Sequence, residues 1–349
     1  MTTRVSAATR RTSVLLGVGM TLLFASTVPA SAGEDPGISN GSTSATKKGD
    51  TIGAVAHINY STSGKSGPGK GAGTITSVDP NWKPPPCWYA PEWKATEFRD
   101  FRNRMYFTAR HDPDAPGDAL KDMSDENRGY AEDDYNIDKE KDGMWWGAQF
   151  SPDATLEEQQ KCNKPPFWVE NGETPKNVPN LISPEILAGL AYNRIQVPGT
   201  KVSLAPEGAS KVNLPTWAWL DKGEFKPVSV TAELDAPGLH IEATTTAKPV
   251  SLTIKPGTDD AKLLPGSGTC EINDDGSIGE PYAKGKAGET PPCGVVYERS
   301  SGQGTYHLQA TATWEITWEG TGGAQGTLPN GEYGNDQAVK VEEIQSVNR

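Results

Sequence analysis

The chain has 349 residues, with 33 Lys and Arg against 45 Asp and Glu and a formal net charge of −12. That acidic balance excludes nucleic acid as a partner, because such binding relies on clustered Lys and Arg to displace counterions from phosphates. The four cysteines show no C-x-x-C spacing and no neighbouring histidine, so no zinc motif is present.

Arg4, Arg10 and Arg11 precede an apolar run from Val14 to Phe24, and Val28-Pro29-Ala30-Ser31-Ala32 leads into a polar chain. This pattern predicts a secretory signal (1–32) cleaved after Ala32. The apolar run is shorter than the ~20 residues of a spanning helix, so no membrane span is expected in the mature chain. A protein released outside the cytoplasm is expected. Cleavage removes three arginines and no acid, leaving a still more acidic protein of roughly 300 residues, enough for two domains. In an oxidising compartment the even cysteine number reads as two disulfides, Cys87 with Cys162 and Cys270 with Cys293, one pair on each side of the apparent domain boundary.

Residues 33–80 are rich in Gly, Ser, Thr and Lys, and read as a flexible linker with one short strand between Thr51 and Tyr60. Gly64-Lys65-Ser66 lacks the earlier glycine of a phosphate-binding loop, because Asn59 stands at that position. Residues 81–195 hold six of the ten tryptophans and read as a disulfide-bonded α+β domain. A helix is predicted from Pro91 to Phe107, with Phe98, Phe101 and Met105 on one face. Thr155 and Glu158 form a capping box for a second helix. Ser183 and Pro184 open a third, with Ile186, Leu187, Leu190 and Ala191 as its buried stripe. The acidic stretch His111 to Asp142 reads as a long exposed loop.

From residue 196 to 349 the pattern turns to period two. Tyr306 to Glu319 is the clearest strand, with Tyr306, Leu308, Ala310, Ala312, Trp314, Ile316 and Trp318 facing one way. Further strands are predicted over Thr216–Leu220, Val228–Leu234, Leu239–Thr246, Val250–Lys255, Val295–Arg299 and Ala338–Ile344, separated by Gly- and Pro-containing turns. About seven such strands suggest a two-sheet sandwich. The fold class is thus mainly β with a small α-containing N-terminal region. Tyr297-Glu298-Arg299-Ser300-Ser301, followed by Gly304-Thr305-Tyr306-His307-Leu308-Gln309-Ala310-Thr311-Ala312-Thr313, resembles the last strands of a PKD-type, immunoglobulin-like domain. The second half also resembles uncharacterised secreted actinobacterial proteins that carry such a module behind a tryptophan-rich region. The resemblance implies an extracellular interaction or spacer module and supplies no catalytic residues.

No G-x-S-x-G elbow and no H-E-x-x-H occurs, which leaves no complete constellation for nucleophilic or zinc-dependent hydrolysis. Asp133, Asp134, Glu140, Asp142 and Glu170 lie near Trp145, Trp146 and Trp168, so a glycan-processing hydrolase using paired carboxylates is one alternative. Asp138-Glu140-Asp142 and Glu271-Asn273-Asp275 both lack the closing acid of a calcium loop and read as polar turns. The preferred reading is a secreted, non-enzymatic binding or envelope-associated protein, without cofactor or metal, whose partner is a cell-envelope glycan or another surface protein. Trp88, Tyr89, Trp145 and Trp146 are its candidate contact residues, with ordinary core packing as their alternative role. A structural subunit of a surface assembly is the remaining alternative.

Overall fold

A computed structural model describes residues 57–63, 72–220 and 225–344. The expected signal segment, its expected cleavage site and most of the expected linker lie outside these residues. Contacts divide the chain into a helical unit, Lys94–Glu140, and a larger unit formed, among the described residues, by 57–93 with 141–344.

The helical unit contains α1 (Ala95–Arg110) and α2 (Gly117–Glu132). Glu97 accepts a hydrogen bond from the Lys94 backbone N–H (3.1 Å), which fixes the start of α1. The first helix therefore begins after Pro91 rather than at it. Arg102 joins the two helices by donating to Glu126 Oε2 (2.8 Å) and Asn127 Oδ1 (2.7 Å), while Phe98 meets Tyr130 edge-on. The stretch expected as a loop is thus largely helix. α2 fully buries none of its residues, and its apolar stripe is sparse: Leu120, Met123 and Tyr130, half-buried among charged and polar residues. Asp134, Tyr135 and Asn136 then turn the chain with positive φ.

The larger unit is mainly β. Its principal strands are β1 (Ile58–Ser63), β2 (Cys87–Trp93), β3 (Gly143–Phe150), β4 (Phe167–Glu170), β5 (Pro215–Leu220), β6 (Val228–Ala236), β7 (Leu239–Lys255), β8 (Gly294–Tyr297), β9 (Tyr306–Gly320) and β10 (Ala324–Glu342). Short helices α3 (Leu156–Gln159) and α4 (Pro184–Tyr192) start at the expected caps, where Thr155 and Ser183 accept from the N–H groups of Glu158 and Ile186. The large sheet runs β1-β6-β7-β9-β10 and ends on Thr76–Ser77. A second sheet pairs Ala261–Leu264, β8, β5 and Ile278–Gly279, and a third pairs β2-β3-β4.

Alternation gives the large sheet one apolar face. Val230, Ala232 and Leu234 of β6 and Leu308, Ala310, Ala312, Trp314 and Ile316 of β9 are essentially solvent-free. They share one core with Ala218 and Leu220 of β5, Val295 and Tyr297 of β8, and the apolar stripe of α4. Thr245 points inward too, and donates to Ala188 O of α4 (2.9 Å). Trp88 and Trp146 belong to this same core, so the tryptophan-rich strands and the sandwich-like sheets do not separate at residue 196. The division falls instead at either end of the helical segment that links the paired strands β2 and β3.

Two further differences follow from pairing. Within the expected linker, β1 adds to the large sheet and Thr76–Ser77 pairs with β10, while Ile75 is buried, so residues 57–63 and 72–80 are not linker. The two strands predicted over 239–255 are one strand, bulged between Pro249 and Ser251 where Pro249 lacks a ladder donor. Both expected disulfides, Cys87–Cys162 and Cys270–Cys293, are present.

Candidate functional site

The four aromatic residues expected at a contact surface are interior. Trp88 is 6 % exposed, Tyr89 1 %, Trp145 6 % and Trp146 5 %. Trp88 Nε1 donates to Gln149 Oε1 (3.0 Å), Tyr89 Oη accepts from the Lys164 N–H (2.7 Å), Trp145 meets Trp168 edge-on, and Trp146 stacks on Phe167. These rings fill the space around a three-stranded sheet and leave no exposed face for a partner. Of the candidate carboxylates, Asp133, Asp134 and Glu140 belong to the helical unit, whereas Asp142 and Glu170 are exposed in the larger one. Asp275 accepts from the Ser277 N–H (3.0 Å) within a tight turn, as a polar turn residue does.

Glu92, which the sequence did not single out, is a strongly perturbed carboxyl group. Its Oε2 is buried without a hydrogen-bond partner, and it packs over Gly147, where any Cβ would strike both this oxygen and the Trp93 ring. Loss of hydration raises its pKa from 4.5 to about 7.

The outward face of the large sheet carries an ordered polar array. The same alternation that buries the valines and alanines turns Ser and Thr outward. Cross-strand pairing places Ser63, Ser229, Thr246, Thr317 and Thr327 in one row over β1, β6, β7, β9 and β10. The next row reads Ser61, Thr231, Thr244, Glu319 and Gln325. Beyond the bulge, Ser251 pairs with Thr313 and Thr253 with Thr311. Ser229 and Thr246 share a hydroxyl hydrogen bond (2.8 Å), as do Thr231 and Thr244 (2.7 Å). Such cross-strand pairs stabilise a sheet by roughly 0.2–1 kcal/mol each and hold the side chains in fixed rotamers.

At the end of the β6–β7 hairpin the hydroxyl rows give way to charge. Asp235 lies directly opposite His240, and Glu233 opposite Glu242. His240 Nδ1 is 2.6 Å from Asp235 Oδ1 and 3.8 Å from Glu233 Oε1. Asp235 holds the imidazolium above its ordinary titration range by hydrogen bonding to it, and the Glu233 carboxyl is raised by its hydrogen bond to Asp235. An NMR titration is expected to place His240 above ~6.5, and Asp235→Asn to bring it down towards that value. An unchanged midpoint in the variant would contradict the pairing.

Comparison with protein-family models, with curated proteins and with solved structures returns no match for this chain.

Proposed function

We propose that this is an exported binding or envelope-associated protein, rather than an enzyme, and that it engages its partner through the outer face of the large sheet. The carrying observation is the five-strand row of hydroxyl residues from Ser63 to Thr327, with its neighbouring rows of Ser, Thr, Glu and Gln. Strands repeat every ~4.8 Å, so the face offers donors and acceptors at regular spacing on a rigid support. A hydroxyl-rich polymer with its own repeat, such as a cell-envelope glycan, is complementary to that array through many small hydrogen bonds. The outer hydroxyls Thr317 and Thr327 are exposed and free of the reciprocal Ser229–Thr246 bond, which leaves them for a ligand. Two disulfides fit an extracellular setting, and among the described residues no helix is long and apolar enough to cross a membrane. An immunoglobulin-like, PKD-type module in the second half is in keeping with such a role.

The test is co-sedimentation of the purified protein with isolated cell envelope and a panel of insoluble polysaccharides, with soluble sugar measured in the supernatant. Saturable pelleting without sugar release is expected. The Thr317→Val/Thr327→Val variant, which keeps shape and strand propensity, is expected to bind at least threefold more weakly. Pelleting that the variant leaves unchanged would reject this face. Sugar release would reject the non-enzymatic reading, and no pelleting from any suspension would reject the glycan.

A further inference from the structure

We propose that Glu233, Asp235 and His240, at the charged end of the hydroxyl-bearing face, form a binding site for one divalent transition-metal ion of the zinc class, whether or not the hydroxyl rows bind a glycan. One ligand atom from each of the three lies within 4.8 Å of the other two. They come from rigid backbone: Glu233 and Asp235 are two residues apart on β6, so their side chains share a face, and His240 is the register partner of Asp235 on β7. The connecting turn is held in place because Gly238, with φ of +73°, packs against the backbone of Asn171 and Gly172. On the other side, the Glu242 N–H donates to Thr321 Oγ1 (2.8 Å). The hairpin backbone therefore has little freedom to splay, which keeps the three residues in register.

Charge supplies a second, independent reason. Glu233 faces Glu242 directly across the hairpin, and like charges in opposed positions destabilise a strand pair. Adding Asp235 puts three carboxylates on one face with His240 as the facing imidazole. Asn59, the partner of Glu233 on β1, adds no charge. A protonated His240 offsets one of these negative charges; a divalent cation offsets two and satisfies both carboxylates and the imidazole together. Binding exchanges the imidazole proton for the ion, so one proton leaves as the metal–nitrogen bond forms. The donor set selects the metal class. Calcium and magnesium take all-oxygen shells, whereas one imidazole nitrogen with two carboxylate oxygens suits zinc and its neighbours, with a water completing the shell. Zinc bonds of 2.0–2.2 Å place donors roughly 3.4 Å apart, inside the range these side chains already span.

The experiment is zinc chloride titration of the untagged protein, followed by calorimetry and by NMR of the histidine rings. One zinc per chain with a Kd below ~100 μM is expected, with the His240 resonances shifted and those of His307 unmoved. His240→Ala and Asp235→Asn should each weaken binding at least tenfold. Both positions are exposed, so the variants should keep the near-ultraviolet circular dichroism of the parent, and the ring shifts of the parent protein report the site without any substitution. Absence of zinc uptake, uptake unchanged in both variants, unmoved His240 resonances, or calcium binding as tightly as zinc would each overturn the proposal.

Discussion

Replacing Cys87 and Cys162 with alanine is expected to lower the unfolding free energy by about 4 kcal/mol, the largest effect of any change considered for this protein. The two residues are 75 apart in sequence, and the loop they close contains the whole helical unit as well as β3 and α3. On the chain-entropy model a cross-link of that span removes more freedom from the unfolded chain than the Cys270–Cys293 bridge, whose separation is 23 and whose removal should cost roughly 3 kcal/mol. Packing adds to the loss. Cys87, Tyr89 and Cys162 form a small buried cluster with Phe167 and Leu181 against it, and this cluster is separate from the main core. Besides the bridge, the segment around residue 162 is held by the Lys164 N–H bond to Tyr89 Oη (2.7 Å) and the Lys83–Glu158 ion pair (3.0 Å). Against a total stability of 5–15 kcal/mol, such a loss moves the urea midpoint far enough to measure easily. A loss below 1 kcal/mol, or a larger loss from the Cys270–Cys293 pair, would show that the bridge closes an already ordered loop.

Glu92→Gln is expected to stabilise the protein at pH 8 and to have little effect at pH 4. Burial without a hydrogen-bond partner raises the carboxyl of Glu92 from 4.5 to about 7. The sign follows from proton counting. A group whose folded pKa is raised holds its proton longer in the folded state, so its contribution is most favourable below pH 4.5. That contribution is lost as pH rises through 4.5 towards 7, and it stays lost above. At about 1.4 kcal/mol per pH unit the interval corresponds to roughly 3 kcal/mol as an upper bound, since part of the side chain keeps contact with water. Glutamine has nearly the same volume and no charge to desolvate, so the difference between variant and parent should open across that window. Urea unfolding of both proteins from pH 4 to pH 8 measures it, and a pH-independent difference would mean that Glu92 ionises without penalty.

Residues whose pattern carries one strong local signal were legible in the sequence. The strict alternation from Tyr306 to Glu319 corresponds to β9, and the Thr155/Glu158 and Ser183/Pro184 pairs start α3 and α4 where expected. In each case a short-range rule, period two or a cap, agrees with the tertiary environment. Segments without a clean period were not legible. β2 and β3 are apolar on both faces, so Cys87-to-Trp93 and Gly143-to-Phe150 show no alternation, and Pro91 looked like a helix start although it sits in a strand. α2 carries only a sparse apolar stripe, Leu120, Met123 and Tyr130, among charged and polar residues, and its helix is supported by contacts such as Arg102 with Glu126 and Asn127 and the exposed Lys121–Asp125 pair. The candidate contact residues failed for a related reason. Large aromatic side chains serve an interface or a core equally well, and composition alone does not distinguish the two.

The sequence by itself determined the β-rich character of the C-terminal half, the two-disulfide framework, the helix caps and the inward face of each alternating strand, because these depend on neighbours within a few residues or on residue type alone. Only the tertiary structure decided which strands pair. That choice drew residues 57–63 and 72–80 into sheets, joined the tryptophan-rich strands to the sandwich core, and buried Trp88, Tyr89, Trp145 and Trp146. It also set Glu233, Asp235 and His240 side by side and aligned five hydroxyl residues across five strands. The physical reason is register: pairing between strands far apart in sequence is selected by the burial of their inner faces, and the outer face receives whatever that register brings together.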